Sequence, residues 1–401
     1  MRILTTHVGS LPRPDDLVAL LRQHDAAGSA AGALAARARS AVDDAVRAQV
    51  AAGIDIVNDG EQGRTDYSTY IKDRLTGFEG EHADQVTGAD MKEFPEFAAR
   101  RRASVFRRPT CTGPIAWKDF GAVERDIRGL AESARRARAG NVFMTAVSPG
   151  QAARFLLNRH YPTDEAYVGA LADVLKREYA AIVGAGFVLQ LDCPDLASGR
   201  NNQFQHLTLR QFQKVAAMHV EALNHAVAGL PPERMRLHIC WGNYEGPHHR
   251  DVPLRDILPI LLTARPAGLS VEAANPRHAH EWSVFEDVRL PAGKVVIPGV
   301  LDTTTNFIEH PELVAQRIVQ YARLVGRENV IASADCGFAT FADTPTVDPK
   351  IGWAKLGAMV EGARLASRSL WPQGRRVKRS AATGARARPG RRPSPPSRAS
   401  R

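Results

Sequence analysis

Short runs of apolar and β-branched residues alternate along this chain with longer, alanine-rich stretches whose apolar positions recur at helical spacing. The runs near 2–7 (RILTTH), 54–59 (IDIVND), 142–147 (VFMTAV), 187–192 (FVLQLD), 235–240 (MRLHIC), 269–273 (LSVEA), 295–301 (VVIPGVL) and 330–334 (VIASA) read as strands. Helices fit between them at about 34–52, 164–184, 208–228, 253–264 and 310–325, with Thr163, Thr208 and Glu309 or His310 near their starts. Strand and helix in alternation are the signature of a parallel sheet, and eight strands are the number that closes a barrel. The stretch 64–140 exceeds one crossover, so it is expected to carry an inserted hairpin or excursion around FRRPTCTGPIAW and a helix near 122–138. Residues 350–370 read as a closing helix. The expected fold is therefore an α/β protein, a (β/α)8 TIM barrel over residues 1–370.

The chemistry gathers where those strands end. The first runs into His7, the second into Asp59 and Glu61, the fourth into Asp192 and the fifth into His238 and Cys240. The sixth ends in Glu272, the seventh in Asp302 and the eighth in Asp335 and Cys336. In a parallel barrel all strand C-termini open on one face, where active sites are built.

Charge changes the picture only at one end. The net charge of +10 comes from residues 371–401, which hold ten Lys and Arg and no acid, leaving 43 basic against 43 acidic residues before them. Rich in Arg, Pro, Ser, Ala and Gly, that segment cannot bury enough apolar surface to order itself and is expected to be a disordered basic tail. Non-specific contact with nucleic acid is confined to it, because a neutral barrel with acids gathered at its mouth repels phosphate. No apolar run reaches the length of a signal peptide or a membrane span, so the expected location is cytoplasmic, with no membrane partner. Four cysteines, Cys111, Cys193, Cys240 and Cys336, are too few and too scattered for a disulfide framework, which leaves metal binding or catalysis for them.

Residues i and i+2 of a strand point to the same side, so His238 and Cys240 can face one ligand while Ile239 packs the other way. Taken alone, such a pair is as well explained by a packed Cys and a hydrogen-bonded His. Two further residues shift the balance. Glu272, in GLSVEAAN, is a carboxylate at the end of an apolar strand, costly unless something positive neutralises it. Cys336 follows VIASAD and precedes Gly337 at the last strand end. Imidazole, thiolate and carboxylate suit Zn²⁺. Rival ligands are Cys193, beside Asp192, and the pairs His248 and His249 and His278 and His280, which are expected to decorate loops or helix starts.

A His-x-Cys pair followed by Glu and then Cys, each on a different strand end, resembles the catalytic C-terminal barrel of the cobalamin-independent methionine synthase family. Similar stretches run to about residue 370: TTHVGSLPRP, DGEQGRTDY, TAVSPGQAARFL, LQLDCPD, LHIC, SVEAANPR, GVLD and SADCGFAT. The resemblance implies that His238, Cys240, Glu272 and Cys336 ligate one zinc, with His238, Cys240 and Cys336 counted as catalytic. It implies too that Val8, Gly9, Ser10, Glu61 and Asp192 hold the amino-acid part of a homocysteine-like thiol, and that the methyl donor is 5-methyltetrahydrofolate or a related folate-like compound. Full-length members carry an additional N-terminal barrel that supports binding of a polyglutamylated folate, whereas this chain matches only the catalytic half. The family's proton-donor histidine is replaced by Thr304 in GVLDTTTNFIEH, with His310 the nearest substitute. Close alternatives are a zinc alkyltransferase for another thiol, of the coenzyme M type, and a metal-free decarboxylase on a related barrel. From a different class comes a non-catalytic zinc or nucleic-acid binding protein.

Overall fold

The computed structural model describes residues 1–80 and 86–372. Eight parallel strands form the centre: β1 (Leu4–Thr5), β2 (Ile56–Val57), β3 (Asn141–Val147), β4 (Val188–Asp192), β5 (Met235–His238), β6 (Gly268–Val271), β7 (Val295–Pro298) and β8 (Ile331–Ala332). Strands β2 to β7 pair in chain order as a six-stranded sheet, and β8 pairs with β1. The two pieces join on both sides. Bridges Val296 to Val330 and Gly299 to Ser333 link β7 to β8, and the Asp55 N–H donates to the Thr5 carbonyl at 3.2 Å beside β2. The expected barrel is thus the observed one, with every anticipated strand present.

Helices pack outside the ring: α1 (Asp15–Ala27), α2 (Ala31–Ala52), α3 (Gly121–Ala137), α4 (Pro149–Phe155), α5 (Asp164–Gly184), α6 (Leu209–Ala226), α7 (Leu254–Leu261), α8 (Pro311–Val325) and α9 (Pro349–Leu370). The side that α5 buries, Tyr167, Val168, Leu171, Ala172, Leu175, Tyr179 and Ile182, follows the three- and four-residue spacing of one helix face. Thr163 caps α5 through the Ala166 N–H, and Thr208 forms a capping box with Gln211 at α6. At α8 the cap is His310, which accepts from the Glu312 N–H, while Glu309 pairs with Lys355 at 2.9 Å. Helices α1 and α4 were not legible. The first lies in a loop-like stretch after Pro12 and Pro14, and the second is a seven-residue helix capped by Ser148.

The long β2–β3 connection does leave the barrel. Phe78–Glu79 pairs antiparallel with Thr110–Cys111, and the short helices Ala89–Lys92 and Pro95–Ala99 lie between them. Met1–Trp371 forms one compact unit. The expected tail, 371–401, lies outside the described residues from 373 onward. Among the described residues no helix is long and apolar enough to cross a membrane.

Buried polar groups tie the barrel's inside to its mouth. Arg236 on β5 is buried and donates to Gln190 Oε1 at 2.8 Å, Thr6 Oγ1 at 3.0 Å and the His7 carbonyl at 2.9 Å, so one guanidinium fixes residues at β1 and β4. At the β7–β8 seam a methyl group on Gly299 would stand 2.6 Å from Asp335 Cα and 2.7 Å from Asp335 N. Backbone cannot give way as a side chain can. Gly299→Ala is expected to cost about 1–3 kcal/mol, the usual penalty of overpacking, read as a lower urea midpoint at unchanged slope; a wild-type midpoint would refute the seam's tightness.

Candidate active site

Strand β5 and the loop after β8 bring three ligand-capable atoms together. His238, Cys240 and Cys336 each offer one within 4.8 Å of the others, and all three residues are buried. His238 Nδ1 lies 3.3 Å from Ser270 Oγ, and its Nε2 has no partner. A buried ring nitrogen left without a partner is costly, so a metal there removes a penalty. The two sulfurs share a hydrogen bond. Donation from the Cys240 thiol, with help from His238, holds Cys336 well below the usual thiol range, and the same bond, then burial, pushes Cys240 well above it. Of the two thiols, Cys336 is the one more easily ionised.

Glu272 stands beside this group but is not a member of it. Its Oε1 accepts from the Trp241 N–H at 2.8 Å and its Oε2 from Asn275 Nδ2 at 2.7 Å. Burial pushes its carboxyl well above the ordinary range, although the nearby His278 charge works the other way. The loop carrying Asn275 is fixed by Asp335, which accepts the N–H groups of Ala273, Ala274 and Asn275 at 2.8–2.9 Å.

The rival ligands go elsewhere. Cys193 is buried outside the group, its thiol 3.6 Å from the Leu191 carbonyl. His248 and His278 do meet, contrary to their expected role as loop decoration, around Asp251 at 2.6 and 3.2 Å. Their ring nitrogens are all engaged, His278 Nδ1 with Glu281 at 2.9 Å and His248 Nε2 with the Tyr244 carbonyl at 3.0 Å. Hydrogen bonds to Asp251 and Glu281 outweigh burial and raise His278 to about 10. The imidazolium stacks on Trp241 at 4.1 Å and so braces the residue after Cys240.

The residues expected to hold an amino acid, Gly9 excepted, share a cavity with the cluster. One cavity of about 900 Å³ is lined by Val8, Ser10, Glu61 and Asp192 together with His238, Cys240 and Cys336. Gly9 lies behind it: a Cβ there would meet Glu61 Oε1 at 2.5 Å, so only glycine admits the carboxylate this close. Asp59 accepts the Glu61 N–H at 2.9 Å, and Thr145 donates to Glu61 Oε1 at 3.0 Å, while Oε2 is buried without a partner. Burial above all raises Glu61 to about 7. Asp192 is pushed well above its usual range by burial and then by Glu61, although Gln190, itself held by Arg236, donates to it at 2.8 Å. Two acids this poorly solvated call for a cation. The N–H groups of Val8, Gly9 and Ser10 meet no acceptor among the described residues and are free for an anion.

Some expectations fail here. Thr304 donates its hydroxyl to Asp302 Oδ1 at 2.8 Å, and neither Thr304, Asp302 nor His310 lines the cavity. Nor is the mouth purely acidic. Arg100, Arg101, Arg102, Arg108 and Arg154 line the same cavity, as does Tyr67. Four of these arginines come from RRRASVFRR in the β2–β3 excursion, a visible charge run with nothing in sequence to aim it inward.

An eight-stranded parallel barrel with an imidazole and two thiols converging at its mouth, in one cavity with paired acids, belongs to the class of α/β-barrel enzymes that activate thiols. The chain belongs to the cobalamin-independent synthase family, catalytic domain, matching it over residues 3–93 and 159–364, and it is an enzyme of the cobalamin-independent methionine synthase type. It is 24% identical over 373 residues to a methionine synthase of Saccharolobus solfataricus, covering 92% of this chain and 96% of that one. A methionine synthase of Thermococcus kodakarensis is 23% identical with 92% and 95% covered. A B12-independent methionine synthase of Shewanella sp. W3-18-1, solved with selenomethionine, shares the fold at a TM-score of 0.70 and 22% identity, covering 92% of this chain and 99% of that one.

Proposed function

We propose that this chain is a zinc-dependent methyltransferase that carries a methyl group from 5-methyltetrahydrofolate or a related donor to the thiol of homocysteine. The observation that carries this reading is the His238, Cys240 and Cys336 cluster sharing one cavity with Glu61 and Asp192. His238 through Nε2, Cys240 and Cys336 would hold the zinc, and Glu272 would complete the set by exchanging one of its two N–H donors for the metal. Bound zinc supplies a Lewis acid that keeps a substrate thiol ionised near neutral pH. The chain does the positioning. Glu61 and Asp192 take the substrate ammonium, and the free N–H groups of Val8, Gly9 and Ser10 take its carboxylate. Those paired acids favour an amino-acid thiol over coenzyme M, which has no carboxylate and no ammonium. Zinc thiolates and four free cysteines suit a reducing, cytoplasmic setting.

The test is product formation by zinc-loaded full-length protein given labelled methyl donor and either homocysteine or coenzyme M. Labelled methionine is expected; alkylated coenzyme M without methionine would overturn the acceptor. Thr304→Ala should leave turnover within about twofold, as for a substitution away from the reacting groups. A loss of several orders would mean that Thr304 reaches the cavity during turnover.

A further inference from the structure

The cavity is lined by charges of both signs, and the methyl-transfer reading uses only the acids. Glu61 and Asp192 are assigned to the substrate ammonium, whereas Arg100, Arg101, Arg102, Arg108 and Arg154 line the same cavity with no role in that reading. None of these five has a carboxylate within 4.0 Å among the described residues. Arg154 is the sharpest case. It is buried, and its guanidinium donates only to neutral acceptors, Ser198 Oγ at 2.7 Å, Gln151 Oε1 at 3.1 Å and Gln203 Oε1. A buried cation whose contacts are all neutral, with Asp195 acting on it only from beyond ion-pair distance, is poorly compensated.

The neighbouring guanidinia are held by rings rather than by acids. Arg108 lies 4.6 Å from the Phe155 ring and 5.3 Å from Phe341, Arg154 lies 5.4 Å from Phe155, and Arg101 lies 4.5 Å from Tyr244. Stacking fixes a guanidinium by its face and leaves N–H edges for a carboxylate or phosphate. Two cations flanking one ring repel each other unless an anion lies between them. At about 900 Å³ the cavity also has room for more than an amino-acid thiol, since about 300–1,000 Å³ accommodates a drug-sized ligand. All five arginines fall within 94–158, between the two segments that the family model matches.

We propose that the β2–β3 excursion and α4 form an anion-binding wall, Arg100, Arg101, Arg102, Arg108 and Arg154, that holds the methyl donor by carboxylate or phosphate groups. This rests on the methyl-transfer reading for the donor's identity, but the wall's affinity for anions does not. The donor spans the cavity from the arginines to the sulfurs, its anionic end at Arg108 and Arg154.

Isothermal titration of zinc-loaded full-length protein separates the two readings, because it needs no turnover. The probes are benzene-1,3,5-tricarboxylate and phenylphosphonate, which do not wrap a metal ion. Arg108→Gln and Arg154→Gln should each weaken binding by roughly ten- to hundredfold, the range for losing a charge-assisted contact. Preference for the tricarboxylate assigns a carboxylate-bearing donor, and preference for phenylphosphonate a phosphate-bearing one. Should Arg154→Gln fail to fold, the exposed Arg101→Gln, with Arg108→Gln, carries the test. Wild type and variants share the same basic tail, so equal affinities across the set would overturn the wall. In turnover, the donor KM should rise while the homocysteine KM and zinc content stay fixed; a rise confined to homocysteine would equally overturn it.

Discussion

Alanine at Cys336 is expected to strip the purified protein of zinc, lowering metal affinity by more than about a hundredfold, since losing even an outer-shell partner costs about 10–100-fold. The argument runs through the sulfur pair. Cys336 is the thiol that Cys240 and His238 hold below the usual range, so it gives up its proton to a cation most readily. Removing it leaves Cys240, whose thiol burial favours as neutral, and one imidazole nitrogen, too few donors for a closed site. Cys193→Ala is the control: buried outside the cluster, it should keep the wild-type metal content. Elemental analysis of both variants decides the matter. Equal zinc in Cys336→Ala and wild type would sink the ligand set, and loss in Cys193→Ala would point to a site of different composition.

How much of this was visible in the linear chain depends on how local each signal is. The eight strands were legible because parallel strands in a barrel are short apolar runs separated by helix-length stretches. His238 and Cys240 were legible as a pair because a strand sets them two residues apart on one side. That Cys336, almost a hundred residues later, reaches them depends on ring closure through the β8–β1 pairing, which local patterning cannot state. Glu272 shows the limit differently. Its strand end was found, but the Trp241 and Asn275 donors that now occupy its oxygens arise from loops folded against it. The arginine wall was invisible for the same reason. A run such as RRRASVFRR reads as solvated surface until the excursion is seen folded over the mouth. The His248, Asp251 and His278 group likewise joins residues up to thirty apart through a loop with no periodicity to betray it.

Glu61→Gln and Asp192→Asn should retain zinc yet lose roughly ten- to hundredfold each in kcat/KM for homocysteine, the worth of one charge-assisted contact at about 1.5–3 kcal/mol. Both side chains line the cavity, and neither belongs to the sulfur and imidazole group, so metal content is the internal control. The pH profile gives a sharper test. Burial raises Glu61 to about 7, so in the free enzyme the carboxyl is largely protonated below that point and ionised above it. An ammonium binds the ionised form. For wild type the homocysteine KM should therefore fall as pH rises through about 7, whereas Glu61→Gln, with nothing to ionise there, should lose that step and keep any dependence due to the substrate thiol. Burial and then the Glu61 charge raise Asp192, which makes Asp192 the later of the pair to ionise, so Asp192→Asn should keep the Glu61 step near 7. A wild-type step surviving unchanged in Glu61→Gln would assign the titration to the thiol alone. Wild-type kcat/KM in both would place the amino-acid pocket on another wall of the cavity.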